Sequence, residues 1–154
     1  MRTVCLFLLV ILAAATARAD QGYPYPGMMV MATSKSFADL SQDLEAAVAA
    51  NRMGLVTQAS ASAGAARRDV EIPGNAIFGV YRNDFAVRML AASIPAGIEA
   101  PLRFYVTEND DGTATLTYRQ PSAVFAPYGS ADLDAMAGEL DVIFARIAAD
   151  AVAP

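Results

Sequence analysis

The stretch that decides the fold is "LRFYVTENDDGTATLTYRQP", residues 102–121. Two runs rich in β-branched and aromatic residues flank a cluster of Asn, Asp and Gly, the composition of a β-hairpin. Loop length then decides which side chains share a face. A two-residue turn at Asp111-Gly112 opposes Val106 with Thr117 and leaves both faces mixed. A three-residue loop, Asp110-Asp111-Gly112, opposes Thr107 with Thr115, Val106 with Leu116, Tyr105 with Thr117, Phe104 with Tyr118 and Arg103 with Arg119. One face is then Phe104, Val106, Leu116 and Tyr118. The other is Arg103, Tyr105, Thr107, Thr115, Thr117 and Arg119. Side chains alternate with a period of two, so burial selects the register that makes one face wholly apolar. Gly112 falls where this loop demands a left-handed residue and a bulge.

Two candidate sites follow from that register. Like charges directly opposite on a sheet repel, so something must lie between or beside Arg103 and Arg119. Guanidinium groups recognise planar anions with two parallel hydrogen bonds. Arg103, Tyr105 and Arg119 are therefore the candidate ligand-binding residues, for a small carboxylate or phosphate. The competing arrangement places Asp69, Glu71 or Glu99 between the arginines, or lets both splay into water. Glu108 lands on the apolar face, opposite Ala114 near the strand end. A carboxylate there reaches solvent at the rim, caps a neighbouring element, or sits in a cleft with a raised pKa. Glu108 is thus the one candidate catalytic residue, as acid or base, with Tyr105 and the arginines as an electrostatic clamp.

Outward from the hairpin, apolar periodicity places the remaining elements. "MMVMATS", residues 28–34, reads as a strand. Ser36 is an N-cap with Asp39 three residues on. Phe37, Leu40, Leu44, Ala47 and Val48 then share a helix face, and Gly54 is positioned to end that helix in the left-handed conformation. "LVTQASA" is a second strand. "SAGAARRDVEIPGN" reads mostly as loop, with an edge strand at residues 70–72. "AIFGVY" is a third strand, and "RNDFAVRMLAAS" is a short helix capped by Asn83 or Asp84 that "IPAGIEAP" breaks. After the hairpin, "PSAVFAPYG" is a proline-punctuated connection. Ser130 caps a final helix with Asp132 and Asp134 in its first turn. Its stripe is Leu133, Met136, Leu140, Ile143, Phe144 and Ile147, with Gly138 on the solvated face. The order β-α-β-β-α-β-β-α predicts an α+β two-layer sandwich, a mainly antiparallel sheet with three helices packed on one face.

The N-terminus, "MRTVCLFLLVILAAATARAD", predicts a signal peptide over residues 1–19. Arg2 is the positive start, Val4 to Ala15 is apolar but short for a bilayer span, and Ala17-Arg18-Ala19 sets cleavage before Asp20. This implies a periplasmic or secreted protein with no membrane span after cleavage. Residues 20–27, "DQGYPYPG", read as a Tyr/Pro tether, and residues 28–150 as a single domain. Removing 19 of 154 residues takes away Cys5, Arg2 and Arg18. The mature chain then has no cysteine and no histidine, and its formal charge moves from −5 to −7. Thiolate catalysis, Ser-His-Asp triads and His-ligated zinc or haem are closed to such a chain. An acidic surface opposes nucleic acid, which demands basic charge.

Weaker constellations are structural. Met28, Met29 and Met31 offer thioethers to a soft metal, but alternation sends Met29 away from its neighbours, and methionine-rich strands fill cores. Asn109, Asp110 and Asp111 lack the closing glutamate of a calcium loop. No cofactor or metal is expected.

The segments "SKSFADLSQDLEAAVAANRMGLV" and "IFGVYRNDFAVRMLAASIPAGIEAPLRFYVTENDDGTATLTYRQPSAVFAPYG" resemble the domain of unknown function 302 family. The matching pieces are Ser34 to Phe37 at the helix start, the turn Tyr81-Arg82-Asn83, and the strand, acidic-Gly hairpin and aromatic-x-x-Pro exit from Pro101 to Pro121. The resemblance covers Met28 to Tyr128 and also suits the final helix. It implies an α+β fold, commonly dimeric, in bacterial proteins with no settled activity. It also implies an Asp-His pair after the second strand. Here that region is "QASASAGAA", so no catalytic residue carries over. The functions consistent with the chain are non-catalytic binding of a small anion or envelope protein at the hairpin's polar face, an enzyme using Glu108, or a homodimer built on the threonine-arginine face.

Overall fold

The computed structural model describes residues 23–154. The expected signal peptide, residues 1–19, and its cleavage site lie outside the described residues. Five strands, β1 (Met28–Ala32), β2 (Gly54–Ala59), β3 (Asn75–Tyr81), β4 (Leu102–Glu108) and β5 (Ala114–Arg119), form one antiparallel sheet in the order β1-β5-β4-β3-β2. Five helices, α1 (Phe37–Ala50), α2 (Ala61–Ala66), α3 (Asn83–Ala92), α4 (Pro121–Phe125) and α5 (Ala131–Val152), complete it, with 3-10 turns at Pro95–Glu99 and Ala126–Tyr128. The α+β two-layer sandwich is as expected; the helix count rises from three to five. The two additional helices, α2 and α4, have 6 and 5 residues, too short for a 3.6-residue period to repeat.

The β4–β5 hairpin adopts the register that burial selects. Phe104 opposes Tyr118, Val106 opposes Leu116 and Glu108 opposes Ala114. Asn109 N–H donates to Thr113 O at 2.8 Å, closing a three-residue loop, and Gly112 takes φ 79°. Alternation then builds the core. Phe104, Val106, Leu116 and Tyr118 point to the helical layer with Phe78 and Val80 of β3, and all are buried. Phe104 stacks on Phe144 of α5 with ring centroids 4.8 Å apart and planes 12° apart, and Tyr118 tilts against both rings. The stripe Leu133, Met136, Leu140, Phe144 and Ile147 is buried along α5, which packs beside Leu40, Leu44, Ala47 and Val48 of α1. Each large side chain removed from water contributes about 2 kcal/mol. Burial raises the pKa of the Tyr118 hydroxyl, and the Asp141 carboxylate adds to the shift.

Helix ends follow local chemistry with two departures. Ser36 accepts from Asp39 N–H at 3.1 Å and Ser130 from Leu133 N–H at 3.4 Å, as N-caps should. Gly54 does not end α1. Arg52 does, at φ 57°, with Arg52 N–H donating to Ala49 O and Met53 N–H to Val48 O, a Schellman closure two residues earlier than expected. Asn83 and Asp84 do not cap α3. Arg82 holds the extended cap position with no side-chain capping bond to the helix backbone, and Asn83 is the first helical residue. Residues 70–72 form no strand. The chain leaves α2 through Asp69 at φ 56°, which turns it off the direction that pairing needs.

Candidate functional site

The face of the sheet turned away from α1, α3 and α5 carries the polar half of the hairpin. Register places Thr117 beside Val30 of β1, and Tyr105 between Thr117 and Ile77 of β3. Arg103 and Arg119 lie one rung beyond the Phe104–Tyr118 pair; Arg103 is also opposite Gly79, and Arg119 opposite Met28. Met28, Ile77, Arg103, Tyr105, Thr117 and Arg119 line an open cleft of about 780 Å³, bounded by Tyr23 and Tyr25 of the N-terminal segment and by Ser60, Ala61 and Glu99. Arg103, Tyr105 and Arg119 therefore share one cavity.

The two arginines differ in what they touch. Arg119 is occupied by backbone: Nε donates to Pro26 O at 3.1 Å and Nη2 to Ala123 O at 2.7 Å, and its guanidinium lies 5.4 Å from the Tyr25 ring centroid. It ties the N-terminal segment to α4. Gly27 makes that crossing feasible, with φ 77° and no room for a Cβ against Ala123. Arg103 is exposed and has no hydrogen-bond or ion-pair partner among the described residues. Among the described residues, no acid threads between the pair. Glu99 lines the cleft but accepts the Tyr128 hydroxyl at 2.8 Å, which raises the Tyr128 pKa. Asp69 and Glu71 are exposed outside it.

Small and hydroxylated side chains lie along the open face of the sheet, in and beside the cleft. Thr117 is 1% exposed, and its Oγ1 lies 3.2 Å from Tyr23 Oη. Gly79 is needed because a Cβ there would collide with Thr57 Oγ1 and stand 2.9 Å from Pro101 Cγ. Ile77 keeps 39% of its surface exposed on this face. The cleft therefore offers one cation with no partner among the described residues, a tyrosine hydroxyl and apolar walls, with the Glu99 carboxylate held by Tyr128, the mix of a site for a small organic anion.

Glu108 lies elsewhere. It sits at the rim of the helical face, exposed, where Oε2 accepts Gly74 N–H at 2.6 Å. Its carboxylate caps the loop before β3 and does not border the cleft. Among the described residues no group of three or more His, Cys, Asp and Glu is placed to hold a metal, and no helix is long and apolar enough to cross a membrane. The hairpin register identifies Arg103, Tyr105 and Arg119. It does not reveal Tyr23, Tyr25 or Ser60, which reach the cleft from positions distant in sequence. The only signal for the first two was the pair of aromatic residues in "DQGYPYPG".

The same architecture occurs in a crystal structure of an uncharacterized conserved protein DUF302 from Bacillus stearothermophilus. It superposes with a TM-score of 0.71 at 18% sequence identity, covering 83% of this chain and 99% of that one. At that identity the likeness speaks to the fold alone. No curated protein matches the chain. The sequence profile described as Domain of unknown function DUF302 matches residues 29–151, from the second residue of β1 to the last turn of α5. The chain belongs to the DUF302 family.

Proposed function

We propose that this chain is an exported, non-catalytic binding protein that holds a small organic anion in the cleft on the open face of its sheet. Arg103 meets the carboxylate or phosphate head. Tyr105 adds a hydroxyl and a ring face, and Ile77, Tyr23 and Tyr25 contact the apolar body. Arg119 shapes the wall and contributes long-range charge while its donors stay on Pro26 O and Ala123 O. The observation that carries the reading is the unpartnered Arg103 guanidinium beside a cleft of about 780 Å³. A free cation at an apolar wall gains most from an anion that brings its own apolar surface. Export rests on the apolar run Val4 to Ala15 and the Ala17-Arg18-Ala19 site.

Native mass spectrometry of protein purified from the export compartment tests both parts. The expected spectrum shows an N-terminus at Asp20 and a small adduct that Arg103→Gln loses. An adduct retained by Arg103→Gln contradicts the assignment of the head group, and a chain retaining residues 1–19 contradicts cleavage. A second reading, a homodimer across the same face, draws on the lack of a helical layer there among the described residues and on exposed Ile77. Light scattering distinguishes it, since a dimer of this kind would lose its interface on Ile77→Lys.

A further inference from the structure

A second cavity, separate from the cleft, has a different chemistry. It is an open pocket of about 270 Å³ lined by Ala50, Asn51, Arg52, Arg82, Ile143 and Arg146. Three of the eight arginines among the described residues converge on it, and no carboxylate lines it. The chain as a whole carries 16 acids against 11 bases, so such a concentration of positive charge runs against its composition. We propose that this cavity binds a phosphate-type oxyanion.

The three arginines come from three elements and are held differently. Arg82, at the junction of β3 and α3, is fixed. Its Nε and Nη2 donate to the two oxygens of Asp84 at 2.7 and 3.1 Å, and its guanidinium lies 4.4 Å above the Phe85 ring centroid. Arg146 projects from α5 and has no ion-pair partner among the described residues. The carboxylate one helical turn on, Asp150, accepts Asn51 Nδ2–H at 2.8 Å instead. Arg52 occupies the left-handed position that closes α1, where glycine serves the backbone without cost. A cation beyond a helix C-terminus is favourable, which accounts for Arg52 alone and not for Arg82 and Arg146 beside it. Arg52, Arg82 and Arg146 border one pocket from three elements, and guanidinium groups so gathered suit the oxygens of a tetrahedral anion. The volume falls just below that of sites for drug-sized ligands, which suits a head group.

The probe is inorganic pyrophosphate, titrated into the full chain while arginine Nε–H resonances are followed by NMR. Sodium chloride of equal ionic strength is the control. The expected result is saturable shifts at Arg52, Arg82 and Arg146 with none at Arg67 and Arg68. Arg146→Gln and Arg52→Gly should each weaken binding about tenfold. Arg52→Gly keeps the left-handed backbone free of strain, and an unchanged thermal melt of this variant separates lost binding from a damaged fold. Shifts reproduced by chloride, shifts equal at Arg67 and Arg68, shifts confined to Arg103, or variants that bind like the parent chain would each overturn the proposal.

Discussion

The two faces of β4 and β5 differ in every property except the backbone that carries them. On one face Phe104, Val106, Leu116 and Tyr118 are buried against α5. On the other, one residue away along each strand, Arg103 stands free and Tyr105 and Thr115 are half-exposed. The helical face holds the fold together. The open face, which gains little from burial, is where polar and unpaired groups persist. A sheet with helices on one side has this division built in, since alternation sends each neighbouring side chain to the opposite task.

The comparison predicts effects that depend on parity along the strand. The largest belongs to the helical face. Phe104→Ala removes the ring stacked on Phe144 and should cost about 3–5 kcal/mol in urea unfolding. A loss below about 1 kcal/mol would mean that this face is not the core. Next is a point where the open face is itself crowded. Gly79→Ala drives a methyl group into Thr57 Oγ1 and should cost about 1–3 kcal/mol. Thr57→Ala in the same chain should recover part of that loss, and strict additivity of the two changes would refute the contact.

The third prediction concerns alkaline pH. Tyr118 is buried on the helical face, and its pKa is raised above the ordinary 10.0, by desolvation first and Asp141 second. The folded state therefore resists ionising a tyrosine that the unfolded chain ionises freely. Stability is unaffected below pH 10 and falls as pH rises above it. Tyr118→Phe should flatten that decline in thermal melts; an unchanged profile would place the titrating group elsewhere. The smallest effect on stability belongs to the open face. Arg103→Gln should shift unfolding by less than about 0.5 kcal/mol while removing ligand binding. A large destabilisation would show that Arg103 has a structural partner.

How much of this was legible from the sequence depended on range. The hairpin register, the apolar faces and the long helices follow from periods that repeat within one segment, and α5 shows its stripe over 22 residues. The short helices α2 and α4 do not repeat a period, and α4 forms where Pro121, Val124 and Phe125 find burial against neighbouring elements. Caps were legible where the side chain itself bonds, at Ser36 and Ser130, and misplaced where the backbone alone closes the helix, at Arg52 and Arg82. The shared face of Arg103, Tyr105 and Arg119 was readable from alternation. The capture of Arg119 by Pro26 O was not, because the two are 93 residues apart in the chain. Glu108 at a rim, capping a loop, was one of the arrangements its position allowed, and the N–H it binds, on Gly74, is 34 residues away.

The most direct test of the division between the faces is chemical-shift mapping with phenylacetate, a carboxylate that carries an apolar body. The account predicts saturable shifts at Arg103, Tyr105 and Ile77, with Val106 and Leu116 unmoved and the response absent in Arg103→Gln. Shifts centred on Glu108 and Val106, or a response that survives Arg103→Gln, would contradict it.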